Sequence, residues 1–189
     1  MVITAGANQK PGQTRTDLVE TNVEICRSVV SQVMEHTQQA ILLVVSNPVD
    51  VLTYAALKFS GLPKQKVIGS GTVLDTARFR FLLSQSCQVE PQNVHGYVLG
   101  EHGDSEVVAW SLTTLAGMKL EAYCRVCNRN CTAIDCRQIA DQVRDSAYHI
   151  IEAKGATNFA VALALVKIVT AIIRDENSVL TVSTNGWRI

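Results

Sequence analysis

Over the first 70 residues, short apolar runs alternate with longer amphipathic segments, and this alternation leaves few folds open. Strands that are apolar throughout must be buried on both faces, and helices between them put those strands parallel in one sheet. Residues 2–5 read as such a strand, followed by a polar loop over 6–14 that contains Pro11 and Gly12. A helix is expected over 16–37, where Leu18, Val19, Val23, Ile25, Val29, Val30, Val33 and Met34 recur at helical spacing. Residues 40–45 form the next predicted strand. Ser46-Asn47-Pro48 ends it and opens a second helix that runs to about residue 60, where Gly61 and Pro63 stop it. Residues 67–69 complete the series as a third strand.

Beyond Gly69 the pattern changes. A helix over 74–86, a strand over 94–99, strand-like segments over 107–115, helices over 134–153 and 157–175, and the start of a strand over 179–183 read as a mixed α+β arrangement. The change places a domain boundary at 69–72, with 1–70 and 71–189 as the two parts. No internal repeat or low-complexity linker interrupts them. At 189 residues, 47% hydrophobic and 18% charged, the chain is globular in composition and long enough for one sizeable core or two smaller ones. Seventeen basic and seventeen acidic residues cancel, which argues against nucleic acid or an anionic membrane as partner. An anionic substrate must then be held by local charges. No apolar run approaches the roughly 20 residues that span a bilayer, and the start lacks the pattern of a signal peptide, so a cytoplasmic protein is expected.

The chemistry concentrates in Gly100-Glu101-His102-Gly103-Asp104-Ser105, directly after the apolar run 94–99. Glycines on either side let a ligand approach the imidazole closely, and a histidine delivered there by a strand suits proton transfer. Taken alone, a solvated loop histidine is the more ordinary reading. Twenty-seven positions upstream, Asp75-Thr76-Ala77-Arg78-Phe79-Arg80 supplies the partners such a histidine needs: a carboxylate to orient the ring and a guanidinium to clamp an anion.

The first part lacks what a doubly wound domain normally opens with, since no Gly-x-Gly-x-x-Gly turn is present. Strands ending in Ala5-Gly6-Ala7 and Ser46-Asn47-Pro48 are nonetheless what the later half of such a domain offers at its carboxyl edge, where ligands bind. The chain is therefore expected to begin mid-domain.

Five blocks carry a resemblance. Residues 5–12 (Ala-Gly-Ala-Asn-Gln-Lys-Pro-Gly), Thr14-Arg15 with Asp17-Leu18-Val19, Ser46-Asn47-Pro48-Val49-Asp50, the stretch from Gly69 to Arg80, and Gly100 to Ser105 resemble the L-lactate dehydrogenase family in order and spacing, with bacterial-type members nearest. The resemblance implies the second half of a Rossmann-type parallel sheet domain followed by an α+β catalytic domain, both incomplete. It implies NAD as cofactor, with pyruvate and L-lactate as substrates and cytoplasmic glycolysis or fermentation as the setting. His102 is then the proton donor, Asp75 its orienting carboxylate, Arg78 the clamp on the substrate carboxylate, and Arg15 the group on a mobile loop that polarises the ketone. Gln9 faces the substrate side group, where malate-specific relatives carry an arginine, so it favours pyruvate over oxaloacetate. Asn47 contacts substrate and nicotinamide, with capping of the following helix as its plainer role. Thr157 lines the methyl pocket and Val161 presses on the nicotinamide; Gly6, Ala7, Ser28, Val45 and Ser46 are the remaining cofactor contacts. Arg80 and His95 match positions that bind fructose 1,6-bisphosphate between subunits of allosteric members, which makes a homotetramer the expected assembly.

Two other readings stand beside this one. A non-catalytic fragment follows if nothing supplies the pyrophosphate turn, and malate dehydrogenase is the alternative enzyme that Gln9 argues against. Cys124, Cys127, Cys131 and Cys136 have spacing that would suit a zinc ion held by four thiolates, although reduced free thiols are the expectation and no metal is assigned. Cys26 and Cys87 read as packing residues.

Overall fold

The computed structural model describes residues 1–7, 15–127, 134–155 and 157–185, with residues 15–17 as backbone only. The chain divides into two compact units, one comprising Met1–Gly71 with the segment from Val182, the other Thr72–Thr181.

In the first unit β1 (Val2–Ile3), β2 (Leu42–Val44) and β3 (Val67–Gly69) form a parallel sheet in that order, with Ile3 beside Val44 and Val44 beside Gly69. Helices α1 (Arg15–His36) and α2 (Val49–Ser60) make the crossovers. Alternation along each strand puts Ile3, Leu42, Val44 and Val67 on one face, and these four pack with Cys26 and Val30 of α1 and Leu52 and Ala56 of α2. Both helices therefore cover the same side of the sheet. The predicted strand over 179–183 does not form. Only Ser183 pairs, in a single antiparallel bridge to Gly69, while the main chain of Thr181 is taken by Thr72 of the other unit's own body.

The second unit is built around α3 (Val73–Cys87). Its strands are two-residue pieces: β4 (Val94–His95), β7 (Thr114–Leu115) and β8 (Met118–Lys119) form one antiparallel sheet, and β5 (Val98–Leu99) pairs with β6 (Val107–Val108) in another. Helices α4 (Leu120–Val126), α5 (Cys136–Lys154) and α6 (Phe159–Ile173) follow. Phe79, Leu83 and Cys87 of α3 form the core with Val94, Val98, Val108, Leu115, Ile139 and Val143.

The single strand expected over 94–99 is thus corrected to two strands in different sheets. Gly96 is the cause: a Cβ there would lie 2.5 Å from the Phe79 ring, so the chain is pressed onto that ring between the two pieces. The Gly96 carbonyl accepts from Arg80 Nε at 3.0 Å instead of joining a ladder. The apolar stretch 107–115 is broken likewise by a 3₁₀ turn over Trp110–Leu112, whose indole meets Phe79 edge to face. The short helix α4, which carries Cys124, lies in a stretch to which the sequence pattern assigns no element. No described helix is long and apolar enough to cross a membrane.

Candidate functional site

Buried positions of α3 and its N-cap include Thr72, Asp75, Thr76, Phe79, Leu83 and Cys87, a stripe of helical period with three polar residues at its start. Buried polar groups need partners, and each has one. Thr72 Oγ1 donates to the Val98 carbonyl at 2.6 Å and Thr76 Oγ1 accepts from the Val98 amide at 3.0 Å. One turn of α3 thereby grips β5 by both main-chain groups of a single residue, and the loop that leaves β5 carries His102 back over Asp75. That loop turns through Gly100 and Gly103, at φ 96° and 124°, conformations that side chains with a Cβ rarely adopt. Its far side is tied to α5, where the Tyr148 hydroxyl donates to Asp104 at 2.8 Å.

His102 Nδ1 lies 2.7 Å from Asp75 Oδ2, and Arg78 Nη1 donates to Asp75 Oδ1 at 3.1 Å. The Asp75 carboxylate can only accept, so the Nδ1 carries the proton and Nε2 is the nitrogen that exchanges one with a substrate oxygen. Asp75 also stands in the first turn of α3, where the helix dipole favours its charge. The same carboxylate can therefore complement the dipole and orient the ring. Arg78 gives one of its five N–H groups to Asp75; the planar fork retains donors for a bidentate contact to an anion.

A third carboxyl completes the cluster. Glu106, whose side chain is 5% exposed, places Oε2 4.0 Å from His102 Nδ1, and that oxygen is buried without a hydrogen-bond partner. Burial pushes the Glu106 carboxyl up to about 7, with the Asp75 carboxylate adding to the rise and His102 opposing it. The position carries no signal in the sequence, where Ser105-Glu106-Val107 reads as a loop returning to a strand.

In the first unit the carboxyl ends of β1 and β2 are joined by Asn22. Its Oδ1 accepts from the Ala7 amide at 2.7 Å, while Nδ2 donates to the carbonyls of Ala7 at 3.3 Å and Asn47 at 2.9 Å. Asn22 precedes Cys26 and Val30 by four and eight residues on the buried stripe of α1, and is itself 2% exposed. A polar residue in phase with an apolar stripe was the signal available, and the hydrophobic pattern alone passes over it. Ser46 Oγ donates to the Ala5 carbonyl at 2.6 Å. Asn47 is exposed and does not cap α2, whose N-cap position is Pro48 with no side-chain bond. Val45 is half-buried and its amide donates to the Ile3 carbonyl at 2.9 Å, and Ser28 is exposed on α1, where it accepts from Gln32. Gly6 lies against Ser46 and Asn22. This edge, made of main-chain groups and one exposed amide, suits the polar end of a cofactor such as NAD, and the residues present fit that group.

Gln9 lies outside the described residues, and Arg15 opens α1 with its backbone alone described. Thr157 is half-buried two positions before α6, and Val161 stands in the first turn of that helix. His95 is exposed on β4; Arg80 is engaged with Gly96 and with the Tyr97 ring. Among the described residues, the cluster of Asp75, His102 and Glu106 is the one group of three ligand-type side chains whose atoms lie within 4.8 Å of one another. Cys124, Cys127 and Cys136 are outside that group, and Cys131 lies outside the described residues. Cys26 and Cys87 are buried in the two cores.

A parallel sheet unit whose strand ends offer main-chain donors and acceptors, and a mixed unit bearing a carboxylate-oriented histidine beside an arginine, are the α/β parts this chain supplies. Residues 1–69 match the lactate/malate dehydrogenase NAD binding domain, and residues 72–186 match the lactate/malate dehydrogenase alpha/beta C-terminal domain. The chain belongs to the lactate/malate dehydrogenase family. It is 55% identical over 184 residues to L-lactate dehydrogenase 1 of Clostridium acetobutylicum, covering 97% of this chain and 59% of that relative. The L-lactate dehydrogenase of Acetivibrio thermocellus is 54% identical over the same share of this chain and 58% of its own length. Among solved structures, a lactate dehydrogenase from a Medee basin deep-sea metagenome library superposes with a TM-score of 0.92 at 47% identity, over 97% of this chain and 58% of that one. The ligand-bound minor L-lactate dehydrogenase of Enterococcus mundtii gives 0.89 at 47%, with the same coverage. The chain thus spans somewhat less than three fifths of the length of these relatives.

Proposed function

We propose that this chain carries the catalytic residues of an NAD-dependent L-lactate dehydrogenase, interconverting pyruvate and L-lactate. The observation that carries this reading is the His102–Asp75 contact at 2.7 Å with Arg78 on the same carboxylate at 3.1 Å. When bound, the reduced nicotinamide supplies a hydride to the ketone carbon. His102 gives the Nε2 proton to the ketone oxygen, and takes it back in the reverse direction. Asp75 holds the Nδ1 proton, which fixes the ring and favours its charged form. Arg78 binds the substrate carboxylate through its remaining donors. Arg15 polarises the ketone oxygen, Gln9 selects a methyl side group, and Thr157 lines its pocket. Gly6, Ala7, Ser28, Val45, Ser46, Asn47 and Val161 hold the cofactor.

The family resemblance also supports a cytoplasmic homotetramer working at the end of glycolysis or in fermentation. Exposed apolar residues on α6, with Phe159, Leu163 and Ile173 each over 70% exposed, support association through the second unit. Arg80 and His95 are proposed to bind fructose 1,6-bisphosphate, a ligand that basic side chains suit.

The test replaces the matching segment of the Clostridium acetobutylicum relative with this chain and follows NADH oxidation. Reduction of pyruvate well ahead of oxaloacetate is expected, and a preference for oxaloacetate would overturn the role of Gln9. In that chimera His102→Gln is expected to lower kcat/KM by about 10³-fold, within the range of lost general acid catalysis. Unimpaired turnover would sink the assignment.

A further inference from the structure

Two carboxyl groups and an imidazole form one close cluster in the second unit, and only two of the three are needed for the relay just described. Glu106 Oε2 is the unexplained atom: fully buried, unpartnered, and 4.0 Å from the same Nδ1 that Asp75 holds at 2.7 Å. An ionised carboxylate in that state would combine the cost of desolvation with repulsion from Asp75, whose side chain is 3% exposed. A proton on Glu106 removes both costs at once, because a protonated carboxyl can donate toward the Asp75 carboxylate beside it. A metal ion is the less suitable occupant. The Arg78 guanidinium already places a positive charge on the other Asp75 oxygen, and a dication would sit beside it.

We propose that Glu106 is a positioning residue of the relay, a neutral carboxyl that keeps its proton, donates a hydrogen bond toward Asp75 and so keeps a second negative charge away from His102. This deepens the proton-donor reading of His102 and rests on it for its catalytic meaning. The physical consequence follows from Coulomb's law. With Glu106 neutral the imidazolium faces one carboxylate and remains an acid able to release a proton near neutrality; with Glu106 ionised it faces two and holds its proton more tightly. The groups acting on Glu106 are Asp75 from α3 and His102 and the Gly103 amide from its own loop, and Arg78 acts through Asp75. Glu106 and His102 therefore titrate as a pair rather than singly.

The experiment is an NMR titration of the 189-residue chain, following the His102 ring nitrogens and the Glu106 side-chain carboxyl carbon. In the unaltered chain the Glu106 carboxyl is expected to titrate near 7, and the His102 resonances to show two steps. A Glu106 midpoint in the ordinary range near 4.5 overturns the proposal, whatever any variant does. Glu106→Gln keeps a donor toward Asp75 but cannot ionise. It is expected to collapse His102 to a single step with its midpoint lowered by about one pH unit, as loss of a nearby unit charge requires. Superimposable His102 curves in the two chains overturn the proposal. Glu101→Gln, an exposed change on the same loop, is expected to leave the His102 curve in place; an equal shift there would show a general charge effect and overturn the specific contact. None of these readouts uses substrate, so a chimera unable to reduce pyruvate would defeat the proposed function while the coupling still stood or fell by titration.

Discussion

In the first unit the candidate contact groups are mostly main chain, set by the ends of β1 and β2 and tied together by a single side chain, Asn22. In the second they are side chains, Asp75, Arg78, His102 and Glu106, drawn from one helix and one loop and gathered around the Asp75 carboxylate. The difference follows from what each must do. Holding a large ligand needs many ordinary donors and acceptors at a sheet edge, which the backbone supplies wherever strands end. Moving a proton needs titratable groups at hydrogen-bond distance in a protected setting, which only converging side chains supply.

That contrast can be broken most sharply at Asp75. Replacing Asp75 by Asn is expected to cost about 10²-fold in kcat/KM of the chimera, roughly 2.7 kcal/mol, by removing the charge that favours imidazolium. The loss is expected in kcat more than in KM for NADH, whose proposed contacts lie mostly in the first unit; a KM effect alone would mean the two sites are not separable in this way. Asn22→Ala probes the first unit. Three hydrogen bonds to a buried amide disappear, and urea unfolding is expected to show a loss of about 2–3 kcal/mol. KM for NADH is expected to rise while the pH profile for pyruvate reduction stays in place. A displaced profile would contradict the division of labour.

The smallest effect concerns Glu106 and pH. A carboxyl whose folded value is raised above its unfolded one stabilises the fold below the unfolded value, and that contribution is lost as pH rises through the folded value. For Glu106 the window runs from about 4.5 to about 7. Glu106→Gln is therefore expected to melt at a higher temperature relative to the unaltered chain at pH 8 than at pH 5. A constant difference across that range would show that Glu106 does not ionise there.

Much of the first unit was legible because local and global signals agree. The α1 and α2 helices and the strand at 67–69 follow from apolar periodicity and from Gly61 and Pro63 as stops, and the sheet that buries them reads the same pattern. The second unit was harder, since its strands are two residues long and periodicity needs more than that to register. The run 94–99 looked continuous because nothing local shows that Phe79, fifteen residues earlier, packs on Gly96. His102, Asp75 and Arg78 were found through their motifs. Asn22 and Glu106 were not, because each looks like an ordinary helix or loop residue until its neighbours are known.

The sequence by itself determined the parallel sheet of the first unit, the family, and the residue types for proton transfer, since hydrophobic period and motif spacing are properties of the chain alone. Only the tertiary structure decided that Thr72 and Thr76 seize Val98, that the loop therefore returns His102 to Asp75, and that Glu106 arrives buried beside them. Charges that meet across 27 and 31 residues of chain acquire their protonation from desolvation and from one another, and neither exists until the chain has folded.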